Sequence, residues 1–384
     1  MITKIEYKNF KILKDVCCNL TRLTVIVGPN ASGKTTMLQG MDYLCQLSKH
    51  HTPEDILALF SDSQSLELSH SGDENERMQL SCYGAADEFN FGACLDRDLL
   101  SAFVDRARLM DSGWLGGVVW KSQNEFESEL AGGFTGGVKE NEASRTIQSL
   151  ALLRLELGLL AAPSYSESVT PQLESSGAGL ASALATMALS NRELFDDLQA
   201  HLRRIVPQLR KIRFKRTRIK RDEIEVIRIR DEAITTKVPR EYPADTLVFD
   251  FENRSDIPAT NVSEGTMLAL GLLTVLHSSA RPRIILLDDI EKGLHPNAQR
   301  ELIGMLREIL RDNPDLQIVA TSHSPYFLDF LDPSEVRLMA IGPDGFSRCG
   351  LLTDHPDFPK WKDEMTPGEM WSFFGEKWLV EEGV

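Results

Sequence analysis

The sequence, 384 residues long, holds no uninterrupted apolar run near the ~18 residues that a membrane helix needs, so no part of it is expected to cross a bilayer. A CxxC pair is missing too, as is every cysteine spacing of a zinc site. Cys17, Cys18, Cys45, Cys82, Cys94 and Cys349 are therefore read as reduced thiols. The charged opening MITKIEYKNFKIL lacks the apolar core of a signal peptide, and together these readings place the chain in the cytoplasm. Internal repeats, low-complexity tracts and long heptad runs are absent, so neither a repeat array nor a coiled coil is expected. Basic charge is in deficit. Against 57 Asp and Glu stand 42 Lys and Arg, a net charge of -15, which argues against the whole molecule coating nucleic acid.

What is present is enough apolar material, 42% of residues, for a buried core. The length exceeds the ~250–300 residues at which single cores stop growing, so one large domain carrying an insertion is expected. Ile2 to Leu13 alternate in strand fashion, and Leu23 to Val27 form a short apolar run ending in glycine. A helix is predicted from Lys34, where Met37, Leu38, Met41 and Leu44 recur at helical spacing. Another strand is expected from about Asp73 to Tyr83.

The glycine pairs Gly116-Gly117, Gly132-Gly133 and Gly136-Gly137 mark loops between helices, of which Arg145 to Leu160 is the clearest. Residues 179–205 read as helices again, so 85–204 is expected to form a mostly helical insertion. A hairpin follows, Ile212 to Ile219 and Ile224 to Ile229, turned at Arg221-Asp222-Glu223. Then come a strand Leu247 to Phe251, a helix from Glu264, a strand Ile284 to Leu287, a helix Pro296 to Leu310 and a strand Gln317 to Thr321. Strands alternating with helices in this last third indicate a parallel α/β sheet. The expected segments are thus 1–84, 85–204, 205–345 and a C-terminal extension, 346–384.

Four motifs carry chemistry. Gly28-Pro29-Asn30-Ala31-Ser32-Gly33-Lys34-Thr35, followed by Thr36, fits GxxxxGK[ST] between an apolar strand and a helix. Its glycines let backbone N–H groups face phosphates at a positive helix end, Lys34 adds a point charge, and Thr35 offers a hydroxyl to Mg²⁺. Ile284 to Leu287 ends in Asp288-Asp289, a buried strand delivering carboxylates to its C-terminal edge. There Asp288 would hold the metal and Asp289 would polarise water. The bland alternative, an ordinary acidic turn, loses weight beside a complete P-loop.

Ser263 and Gly265 open an apolar helix about twenty residues before that strand, a second phosphate-binding surface. A plain Ser N-cap is the competing reading. His323, in Ala320-Thr-Ser322-His323-Ser324-Pro325, follows a strand and is placed to sense a γ-phosphate, against the alternative of a loop histidine. For His295 a structural role is as well supported as a catalytic one.

This order of motifs resembles the ABC-type ATPases of the SMC and recombination group. It is more closely similar to the ATPases related to OLD (overcoming lysogenization defect) nucleases and to the ATPase subunits of anti-phage systems such as PARIS. Asn9-Phe10-Lys11, Gly177 to Leu184 with the Phe195–Pro207 helix, and Thr366-Pro-Gly-Glu369-Met-Trp371 match as well.

The resemblance implies an α/β ABC-type P-loop NTPase head with a mixed sheet and a mostly helical insertion. It further implies ATP and Mg²⁺ as ligands and a homodimer with composite ATP sites. Ser263 and Gly265 would act in trans, with Lys34, Thr35, Asp288 and His323 in cis. Family members usually carry Asp-Glu-Pro-Glu where this chain reads Asp288-Asp289-Ile290-Glu291. The expected catalytic carboxylate therefore falls about 1 Å short, a displacement that can cost ~10²-fold in rate. Glu291 is a stand-in base.

OLD nucleases carry a metal-binding TOPRIM domain after the ATPase, and the 61 residues that follow His323 are too few for one. The implied role is an ATP-driven switch in anti-phage defence with a separate nuclease or toxin as effector. A DNA-repair ATPase binding DNA directly and a transporter subunit are the alternatives. Between Arg203 and Arg230 twelve basic residues stand against three acids, net +9, a candidate nucleic-acid surface or a solvated strand face.

Overall fold

The computed structural model describes residues 1–49, 78–84, 90–95, 119–120, 142–229 and 232–381. The three glycine pairs and the first residues of the Asp73–Tyr83 strand lie outside them. In chain order come β1 (Ile2–Phe10), β2 (Leu13–Asn19), β3 (Leu23–Val27), α1 (Lys34–Lys49), β4 (Met78–Gly84), β5 (Asn90–Leu95) and β6 (Val119–Trp120). These are followed by α2 (Glu142–Gln148), β7 (Leu150–Leu153), α3 (Leu180–Ser190), α4 (Arg192–Ile205), β8 (Leu209–Ile229), β9 (Glu232–Phe251) and β10 (Ile257–Pro258). The last are α5 (Glu264–Leu276), β11 (Ile284–Leu287), α6 (Pro296–Asp312), β12 (Gln317–Ser322), β13 (Val336–Ile341), β14 (Ser347–Leu351) and α7 (Pro367–Phe374).

Two compact units result. The first comprises 1–152, 282–291 and 310–384, the second 153–281 and 292–309. In the first, alternating apolar residues bury Ile2, Ile5, Tyr7 and Phe10 on one face of β1, which pairs antiparallel with β2 and with β4. This sheet, ordered β2-β1-β4-β5-β6, shares a core with a six-stranded sheet ordered β14-β13-β3-β12-β11-β7. α1 contributes Met37, Leu38, Met41 and Leu44 to that core, as its spacing predicts. Tyr7 keeps its buried hydroxyl satisfied by donating to the Met37 carbonyl at 2.6 Å. Gln317, also buried, donates to the carbonyls of Ile2 (2.7 Å) and Thr21 (2.9 Å) and so ties the two sheets together.

In the larger sheet β13, β3, β12 and β11 run parallel, with Ser322 beside Val27 and Leu287 beside Ala320. β14 runs antiparallel to β13, so the sheet is mixed. The register sets Gly28, Asp288 and His323 at one edge, just beyond the C-terminal ends of three adjacent strands.

Three expectations are corrected. Arg145 to Leu160 is not one helix: α2 ends at Gln148 and Leu150–Leu153 form a strand at the sheet edge, where Ile284 N–H donates to the Ser149 carbonyl at 3.1 Å. A short apolar run is ambiguous between the two states, and the open strand edge decides it. Nor is Arg221-Asp222-Glu223 a turn. β8 continues through it, pairing with Arg240, Pro239 and Val238, and the ladder runs on to Ile229 opposite Glu232. A tight hairpin turn requires positive φ, which Asp222 tolerates but its neighbours Arg221 and Glu223 do not readily adopt.

Among the described residues of 85–204 the strands β5, β6 and β7 stand beside the helices α2, α3 and α4, which hold more residues than the strands. The C-terminal segment is not an extension. β14 belongs to the central sheet, because the edge of β13 offers it a ladder of hydrogen bonds.

In the second unit α3 and α4 meet at Asn191, whose side chain caps α4 by accepting from Leu194 N–H at 3.1 Å. α4 buries Phe195, Leu198, Leu202 and Ile205 on one face, and α5 is buried from Gly265 to Leu276 except at Leu268.

Candidate functional site

The Gly28–Thr35 loop bends as its residue types require. Gly28 has φ 152° and Gly33 has φ 97°. A Cβ on Gly28 would sit 2.2 Å from the Met339 carbonyl oxygen, and one on Gly33 2.6 Å from Ser347 Oγ. Ala31 also takes a left-handed conformation, φ 62°. Ser347 Oγ donates to the Ser32 carbonyl at 2.8 Å, so β14 braces the loop from behind. Pro29 lends its carbonyl to Lys34, Asn30 is exposed, and Thr36 begins the first turn of α1.

Lys34 is buried and its Nζ donates to the carbonyls of Gly28 and Pro29, both at 2.9 Å. Burial pushes its amine below the usual lysine range, while Asp289, Asp288, Glu376 and Glu291 act against that shift. Ser32 Oγ is buried without a hydrogen-bond partner, an orphan that a phosphate oxygen would satisfy.

Thr35 Oγ1 donates to Asp288 Oδ2 at 2.9 Å. Thr321 Oγ1, fully buried, donates to Asp288 Oδ1 at 2.5 Å and accepts from Asp289 N–H at 2.9 Å. One hydroxyl thus fixes both aspartates. It was missed from the sequence, where its signal is a threonine ending the strand next to the acidic one. Thr35 and Asp288 fit a divalent cation, since a hydroxyl and a carboxylate oxygen already converge there with open edges for phosphate and water. Among the described residues no three His, Cys, Asp or Glu side chains gather into a metal cluster, and a P-loop cation does not need one.

Asp289 has φ 51°, a left-handed conformation that Asp tolerates better than most side chains. Its Oδ1 lies 3.6 Å from His323 Nε2. Glu291 Oε1 accepts from His323 N–H at 2.7 Å, and Glu291 Oε2 is buried without a partner. Glu291 therefore holds the backbone of His323, a contact the sequence reading did not assign. Lys34, Thr35, Asp288, Asp289, Glu291 and His323 all belong to the first unit and converge at one sheet edge.

Ser263 and Gly265 belong to the second unit. Ser263 precedes α5 but its hydroxyl caps no N–H; it bonds the Thr266 hydroxyl at 2.7 Å and is exposed. It stands at the N-cap position, its carbonyl accepting from Met267 N–H at 3.1 Å. Gly265 is buried because a Cβ there would meet the Gly293 carbonyl oxygen at 2.2 Å. The Lys292–Glu264 ion pair, 3.0 Å, closes the same junction. His295 Nδ1 accepts from Asn297 N–H at 3.3 Å at the start of α6.

Five of the twelve basic residues pair with acids. Arg213 forks onto Asp250 at 2.6 and 2.7 Å, Lys215 meets Asp256 at 2.5 Å, and Arg216 and Arg218 meet Asp245 and Glu241, each at 3.3 Å. Arg204 pairs with Glu308 at 2.6 Å. Much of the +9 read from the sequence is thereby offset by acids from outside that stretch.

Comparison with known proteins bears on the family and the fold. A family profile described as "AAA domain, putative AbiEii toxin, Type IV TA system" matches residues 131–329, and one described as "AAA ATPase domain" matches residues 1–110. An OLD nuclease of Thermus scotoductus is 34% identical over 74 residues, which cover 18% of this chain and 14% of that protein's length. An SMC head solved in complex with the C-winged helix domain of ScpA superposes with a TM-score of 0.54 at 12% identity, over 93% of this chain and 99% of that one. A Pyrococcus furiosus SMC head with an extended coiled coil gives 0.49 at 12% identity, over 94% and 99%. The fold is that of SMC-like P-loop heads. No helix among the described residues is long and apolar enough to cross a membrane.

Proposed function

The chain belongs to the AAA-domain family matched over residues 131–329, and from that premise we propose that it binds and hydrolyses ATP as a dimeric switch. The observation that carries this reading is the Thr35–Asp288 contact at 2.9 Å, with Thr321 bonded to Asp288 from behind. It sets a cation-binding pair beside a loop shaped for phosphates.

Lys34 and the amides at the start of α1 bind the β- and γ-phosphates. Thr35 and Asp288 would hold Mg²⁺, which would supply charge neutralisation to the phosphate oxygens. Asp289 accepts a proton from the attacking water as the γ-phosphorus bond to the β–γ bridging oxygen breaks, leaving ADP and phosphate. His323, beside Asp289, reads the γ-phosphate. Ser263 and Gly265 close over the nucleotide held by a second copy, and the closed dimer engages a separate effector. The OLD nuclease match and the toxin–antitoxin wording of the family description favour a nuclease or toxin in anti-phage defence as that effector.

Mixing two dead variants tests the composite site. Lys34→Ala removes the phosphate lysine and Ser263→Arg blocks the helix tip, so each alone is inactive. In a mixture, one site per heterodimer is intact and ATP turnover returns. Turnover by Ser263→Arg alone, or a wild type that hydrolyses ATP as a monomer, rejects the reading.

A further inference from the structure

Beyond the P-loop edge, the chain leaves His323 through a single helical turn, Pro325–Leu328, capped by Ser324, whose Oγ accepts from Phe327 N–H at 3.3 Å. That turn is gripped from outside. Asp329, just after it, accepts from Thr366 Oγ1 at 2.5 Å and from Gly368 N–H at 3.0 Å through the same oxygen. Gly368 is buried against the turn so closely that a Cβ would stand 2.1 Å from the Pro325 carbonyl oxygen.

Thr366 is rigid in its own right. It caps α7 by accepting from Glu369 N–H at 3.3 Å, while Glu369 Oε2 accepts Thr366 N–H at 2.9 Å, a complete capping box. The far end of α7 is fixed as well: Trp371 Nε1 donates to Glu376 Oε1 at 2.5 Å, and the Glu376 charge acts on Lys34.

His323 is thus constrained on both sides. Glu291 holds its N–H before the turn, and the Thr366-Pro-Gly-Glu clamp holds the turn that follows. The imidazole itself is exposed and 3.6 Å from Asp289, so nothing else among its described contacts fixes its distance to that carboxylate.

We propose that Thr366, Gly368 and Asp329 are positioning residues for His323, fixing the turn behind it so that the imidazole stays beside Asp289. The inference rests on the ATP-hydrolysis reading of the Asp289–His323 pair. Displacing a group in such a site by about 1 Å can cost ~10²-fold in rate without touching substrate affinity.

The test measures steady-state ATP hydrolysis and equilibrium ATP binding on the full chain. Thr366→Val keeps the side-chain shape and deletes both the bond to Asp329 and the cap on α7, Thr366→Ser keeps both, and Gly368→Ala wedges the turn. Thr366→Val and Gly368→Ala are expected to lower kcat by ~10-fold or more with ATP affinity unchanged within about threefold. Thr366→Ser restores wild-type turnover. Ser372→Ala, which removes only the Ser372–Gly368 bond within α7, leaves turnover unchanged.

A parallel loss of ATP affinity, failure of Thr366→Ser to rescue, or an equal effect of Ser372→Ala would overturn the assignment. Normal turnover by Thr366→Val sinks the clamp alone. A wild type that binds ATP and never hydrolyses it sinks the functional reading beneath it.

Discussion

Thr35 and Asp288 lie 253 residues apart in the chain, and the hydroxyl of one reaches both carboxylate oxygens of the other, Oδ2 at 2.9 Å and Oδ1 at 3.2 Å. Behind them Thr321 donates to Oδ1 at 2.5 Å.

Thr321→Val deletes that support with little change in volume and frees Asp288 to rotate. Removing the partner that orients a metal ligand commonly costs 10–100-fold in metal affinity. The Mg²⁺ concentration giving half-maximal ATP turnover is therefore expected to rise by about tenfold or more. An unchanged Mg²⁺ titration would show that Thr321 does not orient the ligand.

Asp289→Asn keeps the size, and Asn accepts a left-handed backbone as readily as Asp, so the φ of 51° brings no new strain. It removes the group that takes the proton. ATP binding is expected to persist while turnover falls by ~10²-fold or more, within the range of general-base catalysis. Full turnover in this variant would move the base to Glu291.

Gly265→Ala places a methyl 2.2 Å from the Gly293 carbonyl oxygen, which is backbone and has no rotamer to escape into. Overpacking of this kind costs about 1–3 kcal/mol. A lowered denaturation midpoint is expected, and an unshifted one would mean that the Gly293 backbone moves freely away from the start of α5.

In the second unit His201 Nδ1 and His277 Nε2 lie 3.0 Å apart, and His277 Nδ1 faces the Leu273 carbonyl at 2.9 Å. Burial is the main cause pushing both imidazoles below the usual histidine value, with Arg204 adding to it at His201. Asp197 acts against the shift at both rings and Glu308 at His201, without reversing it.

A base with a depressed folded pKa is protonated more readily when unfolded. Stability is thus fully present above about pH 6.5 and is lost as pH falls below it. Urea unfolding midpoints are expected to drop between pH 7.5 and 5.5, and His277→Gln should flatten the slope. An equal drop in that variant would assign the effect to other groups.

What could be read from the chain beforehand was what is local. The P-loop is contiguous, so its glycines, Lys34 and Thr35 declare themselves by spacing, and α1 follows from a 3.6-residue rhythm. Thr321 did not, because its role depends on which strand lies beside β11, a relationship between residues 33 positions apart. Glu291 likewise looked like a spare acid until the register brought His323 N–H to it. Leu150–Leu153 carried too few residues to distinguish helix from strand, and only the open edge beside Ile284 decided it. The basic stretch looked unbalanced because the acids that answer it, Asp245, Asp250 and Asp256, follow on β9 and just after it.

The membership of β14 in the central sheet has a practical corollary for anyone shortening the gene. A stop codon placed before Ser347 would not trim an appendage; it would unzip the outer strand from β13, expose a row of amides to pairing with other molecules, and withdraw the hydroxyl that props up the Ser32 carbonyl. Such a truncation would be a folding mutant, and a phenotype seen with it would say nothing about a role for the tail itself.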